Sequence, residues 1–343
     1  MNPSSLMSQD NSSVNVKSFA VDIQNLKHVY PSRRLSRKAK QQQVPTDSIT
    51  AVKNLSLQVQ EAQIFGILGP NGSGKSTLFQ ILSTLLTPTS GSVRVCGFDV
   101  QTQSQHVRQQ LGVVFQSPSL DDKLTAMENL IYHGQLYGLS GNDLKKQAVD
   151  ALATVNLIDR ANDFIDSFSG GMKRRVEIAK AMLHQPRILL LDEPSTGLDP
   201  AARRDIWQHL CMLREDMGIT VLLTTHLMDE AEKCDQLGIM HLGDLVAVDT
   251  PDHLKQQIGG DVIQIDPHHA NSISSLQSAL AQMYPDKPLS LIDGKLLLEI
   301  ENGPTHVAQI GSALGDQIKR ISVGQPTLED VFMHLTGHRL GDA

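Results

Sequence analysis

The stretch Gly69–Thr77, with the sequence GPNGSGKST, limits the possible folds of this chain more than any other segment. It fits the pattern G-x-x-x-x-G-K-[ST], a phosphate-binding loop that lies between a buried strand and a helix. The apolar run Ile64–Leu68 directly before it is typical of such a strand. Apolar side chains follow at helical spacing, at Leu78, Ile81, Leu82, Leu85 and Leu86. The sequence therefore predicts a strand, a loop and a helix in immediate succession.

The residue types in this loop indicate how it would hold a nucleotide. Backbone N–H groups and the dipole at a helix start attract phosphate oxygens, and glycines let the backbone approach them closely. We expect Lys75 to reach the β- and γ-phosphates and the Ser76 hydroxyl to be a ligand of Mg²⁺. The predicted phosphate-binding residues are Gly69, Pro70, Asn71, Gly72, Ser73, Gly74, Lys75, Ser76 and Thr77.

Bulk composition narrows the kinds of function that the chain can have. The chain has 343 residues, enough for two domains, and 40% of them are hydrophobic. A net charge of −7 and an aromatic content of 4% argue against a nucleic-acid-binding surface. The cysteines Cys96, Cys211 and Cys234 are scattered, which predicts a reducing compartment and gives no metal-site spacing.

Two further observations bear on where the protein resides. Residues 1–18 are rich in Ser and Asn and lack an apolar core, so we expect disorder there and no secretory signal. No window approaches the ~20 apolar residues of a membrane span. We therefore expect a soluble chain that meets a membrane only through a partner.

A basic segment follows the first predicted strand and has no acidic residue before Asp47. Its basic residues are Arg33, Arg34, Arg37, Lys38 and Lys40. We interpret the segment as a solvated, mobile loop. The alternative is a surface for an anionic partner or for lipid.

The order of the predicted elements indicates an α/β fold. Two strands, Phe19–Leu26 and Ile49–Val59, precede the phosphate loop and are expected to pair. A helical region at about 118–181 comes later in the chain. The strands Ile188–Leu191 and Ile219–Leu223 are apolar at every position, as parallel strands covered on both faces are. Strands that alternate with helices predict an open parallel sheet at the core.

Residues 251–343 predict a second, smaller α+β domain after the larger domain at 19–250. Its elements follow the order βαββαβ of a ferredoxin-like, split βαβ sandwich, and Asp293-Gly294 predicts a hairpin between two of its strands. A capping box at Thr327 and Asp330 predicts the start of a last helix. Because this unit lacks a catalytic constellation, we interpret it as a regulatory or dimerisation domain.

Polar residues follow the predicted strands at the points where parallel sheets present their ligand-contacting side chains. Asp192 ends one strand and is expected to hold Mg²⁺ opposite Ser76. Glu193 is a candidate for polarising the attacking water, and His226 for reaching the γ-phosphate. Gln116 is expected to contact Mg²⁺ or to position water. We therefore predict one catalytic site at this edge of the sheet.

Ser169-Gly170-Gly171 opens another predicted helix and forms a second anion-binding terminus. No phosphate within the same monomer is available to it. This arrangement suggests a site that is completed by two chains.

An ordered set of segments resembles the nucleotide-binding domain of ABC transporters. The segments are GPNGSGKST, Gln116, FSGGM at Phe168–Met172, ILLLDEP at Ile188–Pro194, STGLD at Ser195–Asp199, and His226. The resemblance covers residues 19–250 and implies a parallel-sheet core with an antiparallel β subdomain and a helical subdomain at about 118–181. The tail Pro326–His338 resembles the C-terminal end of ATP-binding subunits of the daunorubicin-resistance type of ABC exporter. Phe168 and Met172 stand where the family usually has Leu and Gln.

The resemblance implies roles for individual residues. Tyr30 would stack on adenine, and Gln116 would couple the Mg²⁺ site to the membrane partner. Lys75 would bind phosphate at the catalytic centre, Glu193 would be the general base and His226 the γ-phosphate switch. A second copy would complete the site with Ser169, Gly170, Gly171 and Met172, and with Asp199 at the dimer interface.

The resemblance also implies an assembly. Members of the family bind ATP and Mg²⁺, work as head-to-tail dimers and drive a separate membrane permease. We therefore expect an ATPase subunit of an exporter, cytoplasmic and peripheral to the inner or plasma membrane through the permease, with no nucleic-acid partner. One alternative is a soluble ABC ATPase that acts on nucleic acid or a ribosome, and another is an ATP-binding scaffold without hydrolysis.

Overall fold

The computed structural model describes residues 19–31, 48–269, 272–292, 294–338 and 340. The predictions for residues 1–18, for the basic segment and for Asp293 lie outside the described residues. Within the described ranges, no helix is both long and apolar enough to cross a membrane.

The strands of the described chain are β1 (Phe19–Tyr30), β2 (Ile49–Gln60), β3 (Ile64–Leu68), β4 (Ser90–Val95), β5 (Phe98–Asp99), β6 (Leu111–Val114), β7 (Ile188–Asp192), β8 (Thr220–Thr225), β9 (Gln236–His241), β10 (Asp244–Asp249), β11 (Asp261–Pro267), β12 (Leu289–Ile292), β13 (Lys295–Ile300) and β14 (Ile318–Gly324). The helices are α1 (Lys75–Leu82), α2 (Ser104–Gln110), α3 (Ala126–Leu136), α4 (Gly141–Thr154), α5 (Gly170–Met182), α6 (Pro200–Met217), α7 (Met228–Ala231), α8 (Pro251–Gln256), α9 (Ile273–Met283), α10 (Gly303–Leu314) and α11 (Leu328–Thr336).

A central six-stranded sheet has the order β10-β9-β3-β8-β7-β6. Its strands from β9 to β6 run parallel, which confirms the predicted α/β fold with a parallel core. β10 is antiparallel to β9 at the sheet edge. Neither β9 nor β10 was predicted from the sequence. Leu242 and Gly243 join them with positive φ angles of 47° and 85°, and leucine gives no signal for such a turn.

A second sheet, β2-β1-β4-β5, is antiparallel. The predicted pairing of the first two strands is confirmed, because Tyr30 lies opposite Ile49. The apolar core between this sheet and the central sheet includes Phe65, Phe79 and Val93. A separate core, to which α3, α4, α5 and α6 contribute, packs against β7 and β8. The central sheet therefore has apolar cover from both sheet and helices.

The C-terminal strands form a third sheet in the order β12-β13-β11-β14, with all neighbours antiparallel. The helices α9 and α10 pack on it, which is the arrangement of a split βαβ sandwich. α11 lies elsewhere, because Phe332 is fully buried in a cluster that also contains Leu68, Ile239 and Leu254. The domain boundary at residue 250 stays a prediction, since α8 and α11 share this core with the central sheet.

Candidate active site

The carboxyl ends of three neighbouring parallel strands form one edge of the central sheet. The loop Gly69–Thr77 follows β3, Glu193 follows β7, and His226 follows β8. Asp192, the last residue of β7, lies opposite Thr224 of β8. The strand register thus brings together residues that are more than a hundred positions apart in the chain.

Glycines and one buried hydroxyl shape the phosphate loop. Gly72 and Gly74 have φ angles of +80° and +105°, in a region that glycine adopts without steric cost. A Cβ atom on Gly69 would lie 2.4 Å from the carbonyl oxygen of Met240. The Oγ atom of Ser73 is buried and has no hydrogen-bond partner within the described chain. Such an unpaired polar atom inside the loop suits a phosphate ligand.

Lys75 lies folded against the loop that precedes it. Its Nζ atom donates hydrogen bonds to the carbonyl oxygens of Gly69 at 2.6 Å and Pro70 at 2.9 Å. Burial lowers the pKa of Lys75, and the negative charges of Glu193 and Asp192 oppose this effect. The ammonium group is therefore held by carbonyl oxygens at the start of the phosphate loop, within the field of both carboxylates.

Glu193 lies at the centre of the site and is only 8% exposed. Its Oε2 atom accepts hydrogen bonds from Gln116 Nε2 at 3.1 Å and from Thr196 Oγ1 at 3.2 Å. Nδ1 of His226 lies 3.1 Å from Oε1, at ion-pair distance but without the alignment of a hydrogen bond. Gln116 and His226, both predicted for the catalytic site, therefore each contact the carboxylate of Glu193.

Thr224, which was not selected from the sequence, contacts the carboxylate of Asp192 and the backbone of Glu193. Its Oγ1 atom donates a hydrogen bond to Asp192 Oδ1 at 2.5 Å and accepts one from the backbone N–H of Glu193 at 3.0 Å. Burial raises the pKa of Asp192, and the hydrogen bond from Thr224 acts against this rise. The Thr224-Thr225 pair at the end of an apolar strand was the only local signal of this role.

The predicted metal ligands suit Mg²⁺ chemically, because hydroxyl, carboxylate and amide oxygens are the hard donors that it prefers. Ser76 is exposed. In the described ranges no group of three or more His, Cys, Asp and Glu could hold an ion. Water and phosphate oxygens would complete the coordination of Mg²⁺, as is usual for this ion.

Tyr30 lies beside the phosphate loop. Its hydroxyl is 3.3 Å from Oγ1 of Thr77, and its ring meets the ring of His28 edge-on with centroids 4.6 Å apart. The predicted adenine-stacking residue is thus next to the predicted phosphate-binding residues.

Ser169 and Asp199 each cap a helix, and these two helix starts lie side by side. Ser169 Oγ accepts a hydrogen bond from Met172 N at 3.3 Å, whereas Asp199 accepts from the first turn of α6. A Cβ atom on Gly171 would lie 2.6 Å from Cβ of Ala202 in α6. In the described chain, no hydrogen bond joins the segment 169–172 to Gly69–Thr77.

A further buried carboxylate near the site, Glu230, is 3% exposed and was not predicted from the sequence. Its oxygens accept hydrogen bonds from the hydroxyls of Ser195 and Thr225, the latter at 2.5 Å. This contact ties the segment after Glu193 to the strand before His226. Glu230 stands in an acidic stretch of sequence, so nothing local separates it from exposed acids.

Comparison with known proteins identifies relatives over most of the chain. Residues 52–196 match the ABC transporter family. The linearmycin resistance ATP-binding protein of Bacillus subtilis is 36% identical over 85% of this chain and 96% of the relative. The daunorubicin/doxorubicin resistance ATP-binding protein of Streptomyces peucetius is 35% identical over 85% and 89%. The Nod factor export ATP-binding protein I of Rhizobium meliloti is 36% identical over 85% of both chains.

A solved structure has the same fold. It is the dimeric post-hydrolysis state of an ATP-binding cassette bound to ADP and Pi, with 29% identity and a TM-score of 0.58, over 67% of this chain and 98% of that one. The similarity to resistance and export proteins does not favour the alternative of a soluble ATPase acting on nucleic acid. This chain belongs to the family of ABC transporter ATP-binding proteins and is an ATPase.

Proposed function

We propose that this ATPase powers the export of a solute through a separate membrane permease. Two relatives are named for resistance to linearmycin and to daunorubicin and doxorubicin, and a third for the export of Nod factor. These names support export as the direction of transport. The permease would bind the solute. This chain would bind and hydrolyse ATP on the cytoplasmic side of the inner or plasma membrane and so drive the conformational change of the permease.

Glu193 acts as the general base of hydrolysis in this proposal. The observation that carries it is the burial of this carboxylate between Gln116 and His226 at the mouth of the phosphate loop. The water oxygen attacks the γ-phosphorus while Glu193 accepts the water proton, and the bond to the ADP oxygen breaks. Gln116 positions the water, and His226 contacts the γ-phosphate.

Ser76, Asp192 and Gln116 would hold Mg²⁺, and the phosphate loop would hold ATP. When bound, the ion neutralises charge on the phosphate oxygens. Lys75 would leave its carbonyl partners for the β- and γ-phosphates, since a phosphate is a stronger partner for an ammonium group than a neutral carbonyl. Tyr30 would stack on the adenine.

The complete site would lie between two copies arranged head to tail. The first N–H groups of a helix have no partner inside the helix, so the start of α5 offers donors to an anion. Residues 169–172 of one copy would therefore contact the γ-phosphate held by the loop of the other. Asp199 would lie at the same interface, because the starts of α5 and α6 are adjacent.

The substitution Glu193→Gln tests this mechanism. Because the amide cannot accept a proton, we expect the steady-state rate of ATP hydrolysis to fall about a hundredfold or more. ATP binding should persist, and the variant should form a dimer that accumulates in the presence of ATP and Mg²⁺. Phosphate release and the molar mass in solution measure the two effects.

Two further variants serve as controls. Glu301→Gln makes the same chemical change in an exposed turn and should leave both the rate and the molar mass unchanged. Lys75→Ala should lose ATP binding and therefore dimer formation. Unchanged hydrolysis in the Glu193→Gln variant would disprove the assigned role of this carboxylate.

A further inference from the structure

Three charged side chains on one face of α5 lie in the interior of the protein. Arg174, Glu177 and Lys180 follow one another at helical spacing, and each is less than a tenth exposed. Burial lowers the pKa of Arg174 and of Lys180, and the carboxylate of Glu177 opposes both shifts. The proposed chemistry does not use these residues, which we call the α5 charge cluster.

The α5 charge cluster forms hydrogen bonds with the segment 115–119, which follows β6. Glu177 Oε1 accepts a hydrogen bond from Ser119 N at 2.6 Å, and Lys180 Nζ donates to both the carbonyl oxygen and Oγ of Ser119 at 2.7 Å. At the other end of the segment, Arg174 donates to the carbonyl oxygen of Phe115 at 2.6 Å and to that of Gln116 at 3.3 Å. The backbone around Gln116 is thus fixed to α5 from both sides.

Three buried charged side chains contribute little net stability to a fold. Removing charges from water costs several kcal/mol per ion, and apolar residues of similar size often serve stability as well or better. The cluster instead satisfies backbone groups of a loop that has no regular partner strand. What it supplies is therefore a defined position for the segment 115–119 relative to the helix.

The same helix begins at the residues that face the second copy in the proposed dimer. Ser169 caps α5, and Arg174 lies five residues further on, or about 7–8 Å along a helix. A helix of this length moves as a rigid unit over one and a half turns. Displacement of its start would therefore move the α5 charge cluster and, with it, Gln116.

We propose that the α5 charge cluster couples the two nucleotide sites of the dimer. Contact between Ser169 and the γ-phosphate held by the second copy would set the position of α5. Through Arg174, Glu177 and Lys180, α5 would then set the hydrogen bond between Gln116 and Glu193 in this chain's own site. This inference rests on the proposed dimeric ATPase and assigns Arg174, Glu177 and Lys180 as positioning residues.

Coupling between two sites has a measurable signature. Two linked sites give a Hill coefficient for ATP above about 1 and up to about 2. If the α5 charge cluster carries the linkage, weakening it should reduce the Hill coefficient and kcat together. The Kd of the monomer for ATP should stay unchanged, because in the described chain the hydrogen bonds of the α5 charge cluster go to 115–119 and none goes to the phosphate loop.

The decisive variant is Lys180→Met in the full-length chain. It removes both bonds to Ser119 but leaves Arg174 and Glu177 as a neutral ion pair, with side chains 3.0 Å apart. We expect kcat to fall about tenfold and the Hill coefficient to approach about 1, with an unchanged Kd for ATP in the monomer. Lys180→Arg, which keeps a donor at the same place, should restore most of the cooperativity.

Lys173→Met is the matched control on the same helix. Lys173 Nζ donates to Asp122 Oδ1 at 2.7 Å, and among the described residues its side chain makes no hydrogen bond to 115–119. Its loss should therefore leave kcat and the Hill coefficient unchanged. Ser119→Ala is a second test that alters no charge, and we expect it to lower the Hill coefficient as well. It decides the question if Lys180→Met does not fold.

The inference and the proposed function fail in different ways. If the Glu193→Gln variant forms no ATP-dependent dimer, the proposed function fails and the inference falls with it. If that dimer forms but Lys180→Met and Ser119→Ala both keep the wild-type Hill coefficient, only the coupling role is overturned. A reduced Hill coefficient in Lys173→Met equal to that in Lys180→Met would also overturn it.

Discussion

At the scale of single residues, the site depends on one strained backbone position and one threonine. Glu193 has a φ angle of 47°, in the left-handed region that costs a side-chain-bearing residue of the order of 1–3 kcal/mol. Its N–H group donates to both the carbonyl oxygen and the hydroxyl of Thr224, which hold this conformation. Thr224 also donates to Asp192, so one hydroxyl orients the carboxylate of Asp192 and the backbone of Glu193.

The substitution Thr224→Val keeps the shape of the side chain and removes this hydroxyl. We expect kcat to fall about tenfold to a hundredfold, because small displacements of catalytic groups have effects of this size. The free energy of unfolding should fall by about 1–2 kcal/mol, the cost of unpaired buried polar groups. Steady-state hydrolysis and chemical denaturation measure these quantities. Thr224→Ser retains the hydroxyl and should stay close to wild type, and equal losses in both variants would contradict the role of the hydroxyl.

At the scale of elements, α3 has a capped start and an opposite end that packs near α5. Thr125 and Glu128 form a capping box at the start of α3, with both of its hydrogen bonds present. The opposite end of α3 approaches α5, where burial lowers the pKa of His133 to about 4. The positive charges of Lys180 and His184 act in the same direction. The contact between these helices therefore favours the neutral form of the His133 imidazole.

This arrangement predicts a loss of stability in mild acid. Above pH 6.5, the ordinary pKa of histidine, His133 is neutral in both states. Below it the unfolded chain takes up a proton that the folded chain accepts only near pH 4, so stability falls across this window. The free energy of unfolding of wild type should decrease when the pH falls from about 7 to about 5. In the His133→Gln variant, we expect this decrease to be smaller by roughly 1–2 kcal/mol. Denaturation at the two pH values measures this difference, and identical losses would contradict it.

At the scale of the whole molecule, the last described helix joins the third sheet to the central sheet. Phe332 of α11 is fully buried, and its ring meets that of His241 at the end of β9 with centroids 5.9 Å apart. The same core contains Val262 and Leu297 from the third sheet and Leu68 from the strand before the phosphate loop. Stability of the nucleotide-binding sheet therefore depends on residues near the C-terminal end.

The substitution Phe332→Ala tests this dependence. We expect it to cost about 3–5 kcal/mol, as is typical for loss of a fully buried phenylalanine side chain. Trp207 is the single tryptophan of the chain and is buried in α6, so its fluorescence reports on the nucleotide-binding part. The Trp207 unfolding transition should move to lower denaturant. Leu291→Ala, at an exposed position of β12, should leave it in place, and an unmoved transition in Phe332→Ala would mean that the C-terminal unit unfolds independently.

Much of this architecture is predictable from local sequence. The phosphate loop, the capping boxes and the serine cap of α5 involve residues only a few positions apart, so their patterns are readable in short windows. Gln116, Glu193 and His226 were predictable as site residues because each follows an apolar strand.

The remaining features depend on contacts between residues far apart in the chain. Thr224 with Asp192, and Arg174 with Phe115, are separated by 32 and 59 positions, and no local pattern marks such partners. The antiparallel edge strand β10 and the return of α11 to the central sheet are likewise set by strand pairing and apolar burial. Short sequence motifs therefore determine which residues form this site, whereas tertiary packing determines how their side chains are oriented. The reason is that a hydrogen bond fixes the position of a side chain only when the fold holds both partners.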